Sequence, residues 1–117
     1  MESILTSIKK LLGPAEEYDH FDPDIIMHIN SVFMILRQMG IGPKQGFSIC
    51  DDTAEWTDYL PNIEEIEAVK TYIYMKVKLV FDPPTGGVLE MYKQAIAEYE
   101  WRLNVEAETS TIEAEEG

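Results

Sequence analysis

Few residues of this sequence have the types and spacing that catalysis or metal binding needs. His20 and His28 are the two histidines, and they lie eight residues apart, whereas two ligands on one helix face lie four apart. Cys50 is the single cysteine, and no local motif supplies the base that activates a thiolate. Carboxylate pairs such as Glu64 and Glu67 are expected in so acidic a chain. The sequence therefore predicts a protein that is not an enzyme and has no metal or cofactor.

The segment 40–46, Gly-Ile-Gly-Pro-Lys-Gln-Gly, has the glycines and the lysine of a phosphate-binding loop. Such loops lie between a strand and a helix and contain a Lys-Ser or Lys-Thr pair. This segment follows a predicted helix and lacks the pair. Two turns in series are the simpler interpretation.

The overall charge excludes a class of function. The chain has 22 acidic and 9 basic residues, a net charge of −13 over 117 residues. A surface this negative repels nucleic-acid phosphates and anionic lipids, so DNA binding in a basic groove is excluded. No apolar run reaches the roughly 18 residues of a membrane span, and the start lacks the basic-then-apolar order of a signal peptide. A single cysteine fits a reducing compartment.

The spacing of apolar residues predicts an all-α fold, a small bundle with irregular connectors. A short N-terminal helix is expected over 2–12, and three long helices over 23–39, about 62–81 and about 88–103. The helix starts and stops follow from caps, glycines and prolines. The stretch 54–60 could hold one helical turn.

The end of the chain differs in composition from the rest. Beyond Asn104 there are five Glu and no Lys or Arg. We therefore predict a helical domain over 1–104 and an extended acidic C-terminal tail over 105–117. Alternating residues over 105–111 are weakly typical of a strand that a partner could order.

Two groups of residues are candidates for contacts with other chains. Lys70, Tyr74 and Lys78 lie at four-residue spacing on one predicted helix. They form either a plain surface stripe paired with nearby glutamates or a patch for the acidic face of an identical neighbour in a ring. The amphipathic aromatic residues, Trp101 among them, are too many for a core of this size, which indicates that some contact another chain.

The run 70–84, Lys-Thr-Tyr-Ile-Tyr-Met-Lys-Val-Lys-Leu-Val-Phe-Asp-Pro-Pro, and the later Glu-Trp-Arg-Leu-Asn at 100–104 resemble small structural proteins of tailed double-stranded DNA bacteriophages. With the order of predicted helices, the chain resembles the head–tail connector, or adaptor, family over about residues 1–105. The resemblance implies a ring, commonly a dodecamer, that lies below the portal, joins the capsid to the tail and extends the DNA channel.

The resemblance also implies partners and a location. These are further copies of the chain, the portal protein, and a stopper or tail-completion protein, in a virion assembled in the bacterial cytoplasm. Family members commonly grip the portal with a C-terminal segment, which here corresponds to Trp101, Arg102, Leu103, Val105 and Ile112. DNA would pass without specific binding, because a negative channel wall repels phosphates.

Two alternatives stay open. The chain could be a neighbouring stopper or tail-completion protein. It could also be an acidic DNA mimic that inhibits a host DNA-binding protein, which would need rows of carboxylates at phosphate-like spacing. The lysines of the second long helix, over about 62–81, argue against the mimic.

Overall fold

The computed structural model describes residues 3–13, 20–61, 63–81 and 83–116, with side chains described for these residues except 63, 64 and 108–116. The helices are α1 (Ile4–Leu12), α2 (Asp22–Met39), α3 (Trp56–Tyr59), α4 (Ile63–Phe81) and α5 (Gly86–Glu116). These ranges contain no β-strand, only a single bridge between Ser3 and Glu55. The predicted helical class is therefore confirmed.

Helix α4 lies at the centre of the fold, because α1, α2, α3 and α5 all contact it. Its buried side chains spread over most of its circumference, as a central helix requires. They are Ile66, Val69, Tyr72, Ile73, Met75 and Val77. Burial of each large aliphatic side chain contributes about 1.5–3 kcal/mol, so this helix supplies much of the hydrophobic stabilisation.

The connector between α2 and α3 is attached at both ends. At its start, Gly40 adopts φ +96° and the Ile41 N–H donates to the Leu36 carbonyl at 2.9 Å, a Schellman-type helix end. Further along, the Asn30 amide donates to the Ile49 carbonyl at 2.9 Å and accepts from the Ile49 N–H at 2.8 Å. These bonds satisfy backbone groups that a loop otherwise leaves to water.

The single-turn helix α3 joins the connector to α1. The Trp56 indole N–H donates to the Ser7 hydroxyl at 2.8 Å, and the Ile4 N–H donates to the Ala54 carbonyl at 2.9 Å. Trp56 is only 1% exposed. Trp56 is thus a core residue of the protomer.

Helix α5 corrects the predicted C-terminus. It continues through 104 to Glu116, so the extended tail and the strand-like pattern over 105–111 are wrong. Glu and Ala are good helix formers. In addition, the buried Ala107 packs beside Gly40: a Cβ added to Gly40 would lie 3.7 Å from the methyl group of Ala107. The predicted domain boundary at 104–105 therefore falls inside one helix.

Candidate functional site

The residues considered for chemistry are not gathered into one site. The Cys50 thiol is exposed, and the His20 ring packs edge-on against Phe21 at a centroid distance of 5.0 Å. Across the part of the chain that the structure describes, no group of three or more His, Cys, Asp or Glu side chains is placed to hold a metal ion. The features that remain are surfaces.

The outer stripe of α5, defined here as Met91, Trp101 and Val105, is an exposed apolar surface. Trp101 is 68% exposed, so it is not part of the protomer core. Isolated apolar residues are common on surfaces, and Met91 lies almost three turns from Trp101. The part of the stripe that favours an interaction site is therefore Trp101 with Val105 one turn further along.

The five residues expected at a portal contact are divided by the structure. Trp101, Arg102 and Val105 are exposed, and the Arg102 guanidinium donates to Glu98 at 2.7 Å and 3.1 Å. Leu103 is only 4% exposed and belongs to the protomer core. Ile112 lies in α5 two turns beyond Val105, and its side chain is outside the described residues.

The lysine row, defined here as Lys70, Tyr74 and Lys78, occupies successive turns of α4. All three residues are half-buried. The Tyr74 hydroxyl lies 3.3 Å from the Tyr92 hydroxyl of α5, so the row borders the contact between the two helices. The aliphatic parts of the two lysines can thus cover apolar surface while their charges stay in water.

A second phenol links α4 to α5 deeper in the protein. The Tyr72 hydroxyl donates to the Glu100 carboxylate at 2.8 Å. Burial, the hydrogen bond to Glu100 and the charge of Glu100 together raise the pKa of Tyr72 above its ordinary value. The neutral phenol is therefore the form that suits the folded state.

Tyr59 and Gly42 are in unusually close contact. Gly42 has φ +87°, and a Cβ added to it would lie 2.6 Å from Cε1 of the Tyr59 ring. Only glycine fits this position, for both conformational and steric reasons. Burial raises the pKa of the Tyr59 hydroxyl, for which the described residues provide no hydrogen-bond partner.

An acid-rimmed cleft of about 170 Å³ lies beside this contact, between the connector, α4 and α5. Its lining is mostly apolar, with two carboxylates. The residues are Gly40, Ile41, Gly42, Leu60, Glu65, Val69, Leu103, Glu106 and Ala107. No motif in the sequence indicates this cleft, and the glycine-rich segment 40–46 is the one local sign of a close backbone approach.

Comparison with known proteins identifies a family. The family model described as "Phage connector protein" matches residues 4–110. No curated protein and no solved structure matches the chain significantly. Within the described ranges, no helix is both long enough and apolar enough to cross a membrane. The match covers α1 to α4 and α5 up to residue 110, and therefore includes the outer stripe, the lysine row and the cleft.

Proposed function

Because the chain belongs to the phage connector protein family, we propose that it is the head–tail connector, or adaptor, that forms a ring below the portal, joins the capsid to the tail and extends the DNA channel. The observation that carries the proposal is the family match over residues 4–110. A virion structural component is what the family implies. Assembly into a ring, contact with the portal and extension of the channel go beyond that role and are proposed for this chain.

The surfaces of the protomer support this role. A protein that only folds on its own has no use for a largely exposed tryptophan on an exposed apolar stripe, whereas assembly covers such residues. We assign the portal contact to Trp101, Arg102, Val105 and Ile112, with buried Leu103 supporting them from the core. Arg102 would keep the apolar contact in register through its charge.

The net charge also fits the role. A ring of copies that each carry −13 presents a negative surface to the genome. Phosphates are repelled from such a surface, so DNA would slide through without sticking. Specific DNA contacts are not part of the proposed function.

Negative-stain imaging of the purified protein, alone and mixed with the portal protein of the same phage, tests the proposal. We expect annular particles, commonly with twelve copies, and added density on one face of the portal ring. A protein that stays monomeric under both conditions and does not co-sediment with the portal would refute it. Binding only to a portal that already carries another connector would instead indicate a stopper or tail-completion protein.

A further inference from the structure

We propose that the acid-rimmed cleft receives the lysine row of a neighbouring copy of the same chain. The proposal rests on the proposed assembly of copies into a ring and names the two surfaces that meet. It assigns a receptor role to Glu65 and Glu106, which no motif indicates.

The chemistry of the cleft matches a lysine side chain. Apolar residues of the connector, α4 and α5 form its walls, and Glu65 and Glu106 stand on α4 and α5. A lysine inserted there would place its methylenes on the apolar walls and its ammonium between the two carboxylates. The volume of about 170 Å³ is below the roughly 300–1,000 Å³ of small-molecule sites and suits one long side chain. One lysine of the row would therefore enter the cleft, and the other would lie outside it.

Charge complementarity selects a second copy of this chain as the occupant. Copies that each carry −13 repel one another, so their contact needs a local positive surface on one side. The chain has only nine basic residues, and two of them, Lys70 and Lys78, stand in one row on one helix. That row is the positive partner that the cleft requires.

The placement of the two surfaces on α4 suits a ring. Glu65 and Val69 line the cleft, whereas Lys70 does not. Lys70 follows Glu65 by five residues, which is roughly 140° around a helix of 3.6 residues per turn. Two different patches that face different directions make a head-to-tail contact, which forms a ring when the rotation between neighbours closes. A two-fold dimer would instead need one patch that pairs with itself.

Charge reversal of each surface tests the proposal. One variant carries Lys70→Glu and Lys78→Glu, and the other carries Glu65→Lys and Glu106→Lys. Assembly of each is measured by sedimentation velocity, with the portal protein present if the wild type needs it. We expect each variant alone to assemble at least tenfold more weakly than the wild type.

Mixing the two variants is the decisive experiment. In an equimolar mixture every contact between unlike copies joins a positive surface to a negative one, so alternating rings should form. A single chain with all four substitutions should also assemble, because its contacts are restored with the signs exchanged. Restoration in both arms would not occur if the substitutions merely damaged the protomer.

The control is Glu90→Lys, which makes the same Glu-to-Lys exchange once, on exposed α5 surface outside the cleft. Its only described ion pair, with Lys93, is 3.9 Å long and exposed, and such pairs contribute little stability. We expect this variant to assemble like the wild type. If a reversed variant does not fold, Glu65→Gln with Glu106→Gln replaces it, and a severalfold loss of assembly is expected.

The outcomes separate the two proposals. If the wild type forms rings and the folded variants assemble equally well, the cleft does not receive the lysine row, while the connector function stands. The same holds if neither the mixture nor the fourfold variant restores assembly. If the wild type never assembles, with or without the portal, both proposals are wrong.

Discussion

Replacement of Trp101 by alanine is expected to weaken binding to the portal while leaving the protomer folded. Truncation of a buried large aromatic residue costs about 3–5 kcal/mol. Trp101 is 68% exposed, so only about a third of that packing is lost, on the order of 1 kcal/mol. For a domain of this size that is a fall of roughly 4 °C in Tm.

Trp56→Ala is the matched comparison, because the same residue type is there only 1% exposed. This substitution removes a full core packing contact and the indole bond to Ser7. We expect a loss of about 3–5 kcal/mol, or a fall in Tm of roughly 12 °C or more. Because both variants replace a tryptophan by alanine, their comparison separates the effect of core packing from the effect of surface contact.

The assay pairs thermal unfolding by circular dichroism with binding to immobilised portal rings. A central aromatic residue at an interface contributes about 2 kcal/mol or more, so Trp101→Ala should weaken portal binding by roughly 30-fold. If Trp101→Ala instead lowers Tm as far as Trp56→Ala and leaves portal binding unchanged, Trp101 is a core residue and the reasoning fails.

Three further predictions concern the protomer itself. Gly42→Ala should lower the free energy of unfolding, measured in urea, by about 2–5 kcal/mol, because the alanine would strain the backbone and collide with Tyr59. Gly46→Ala is the control, because Gly46 has φ +95° but no steric clash, and it should lower the free energy of unfolding by only about 1–2 kcal/mol. Equal losses would contradict the close contact. Asp22→Asn removes the carboxylate that lies 2.8 Å from the buried Lys9 ammonium, and it should lower the free energy of unfolding, measured by calorimetry, by about 1–3 kcal/mol. Adding Lys9→Met should recover part of this loss, because the unpaired buried charge is removed. No recovery would show that the pair is not coupled. Because the pKa of Tyr72 is raised in the folded state, the neutral phenol stabilises the fold below about pH 10, and this contribution is lost as the pH rises further. Between pH 9 and 11 the Tyr72→Phe variant should therefore lose less stability than the wild type. Parallel pH profiles of stability would refute this.

The helices were largely predictable because their signals are local. The helix predicted over 23–39 is Asp22–Met39 in the structure, and the helix predicted over about 62–81 is Ile63–Phe81. A proline in the first turn, a glycine at the end and a repeat of three or four residues act within a few turns of chain. Such signals need no knowledge of what the helix packs against.

The end of α5 could not be predicted by the same reasoning. Composition beyond Asn104 indicates solvated chain, and no glycine or proline marks a boundary. The helix continues to Glu116, and near the start of the added stretch Ala107 packs beside Gly40, a residue that is distant in the chain. A contact between distant segments favours the helix there against the local composition signal, and the prediction of an extended tail did not include it.

The sequence by itself determined the helical class, the resemblance to connector proteins and the negative charge, because composition and periodicity are properties of the chain before it folds. Only the tertiary structure decided that Trp56 is inside and Trp101 outside, and that Gly42, Glu65 and Glu106 meet around one cleft. Burial and convergence depend on which distant segments pack together. No local pattern encodes that choice, since it is made by the summed packing of all five helices.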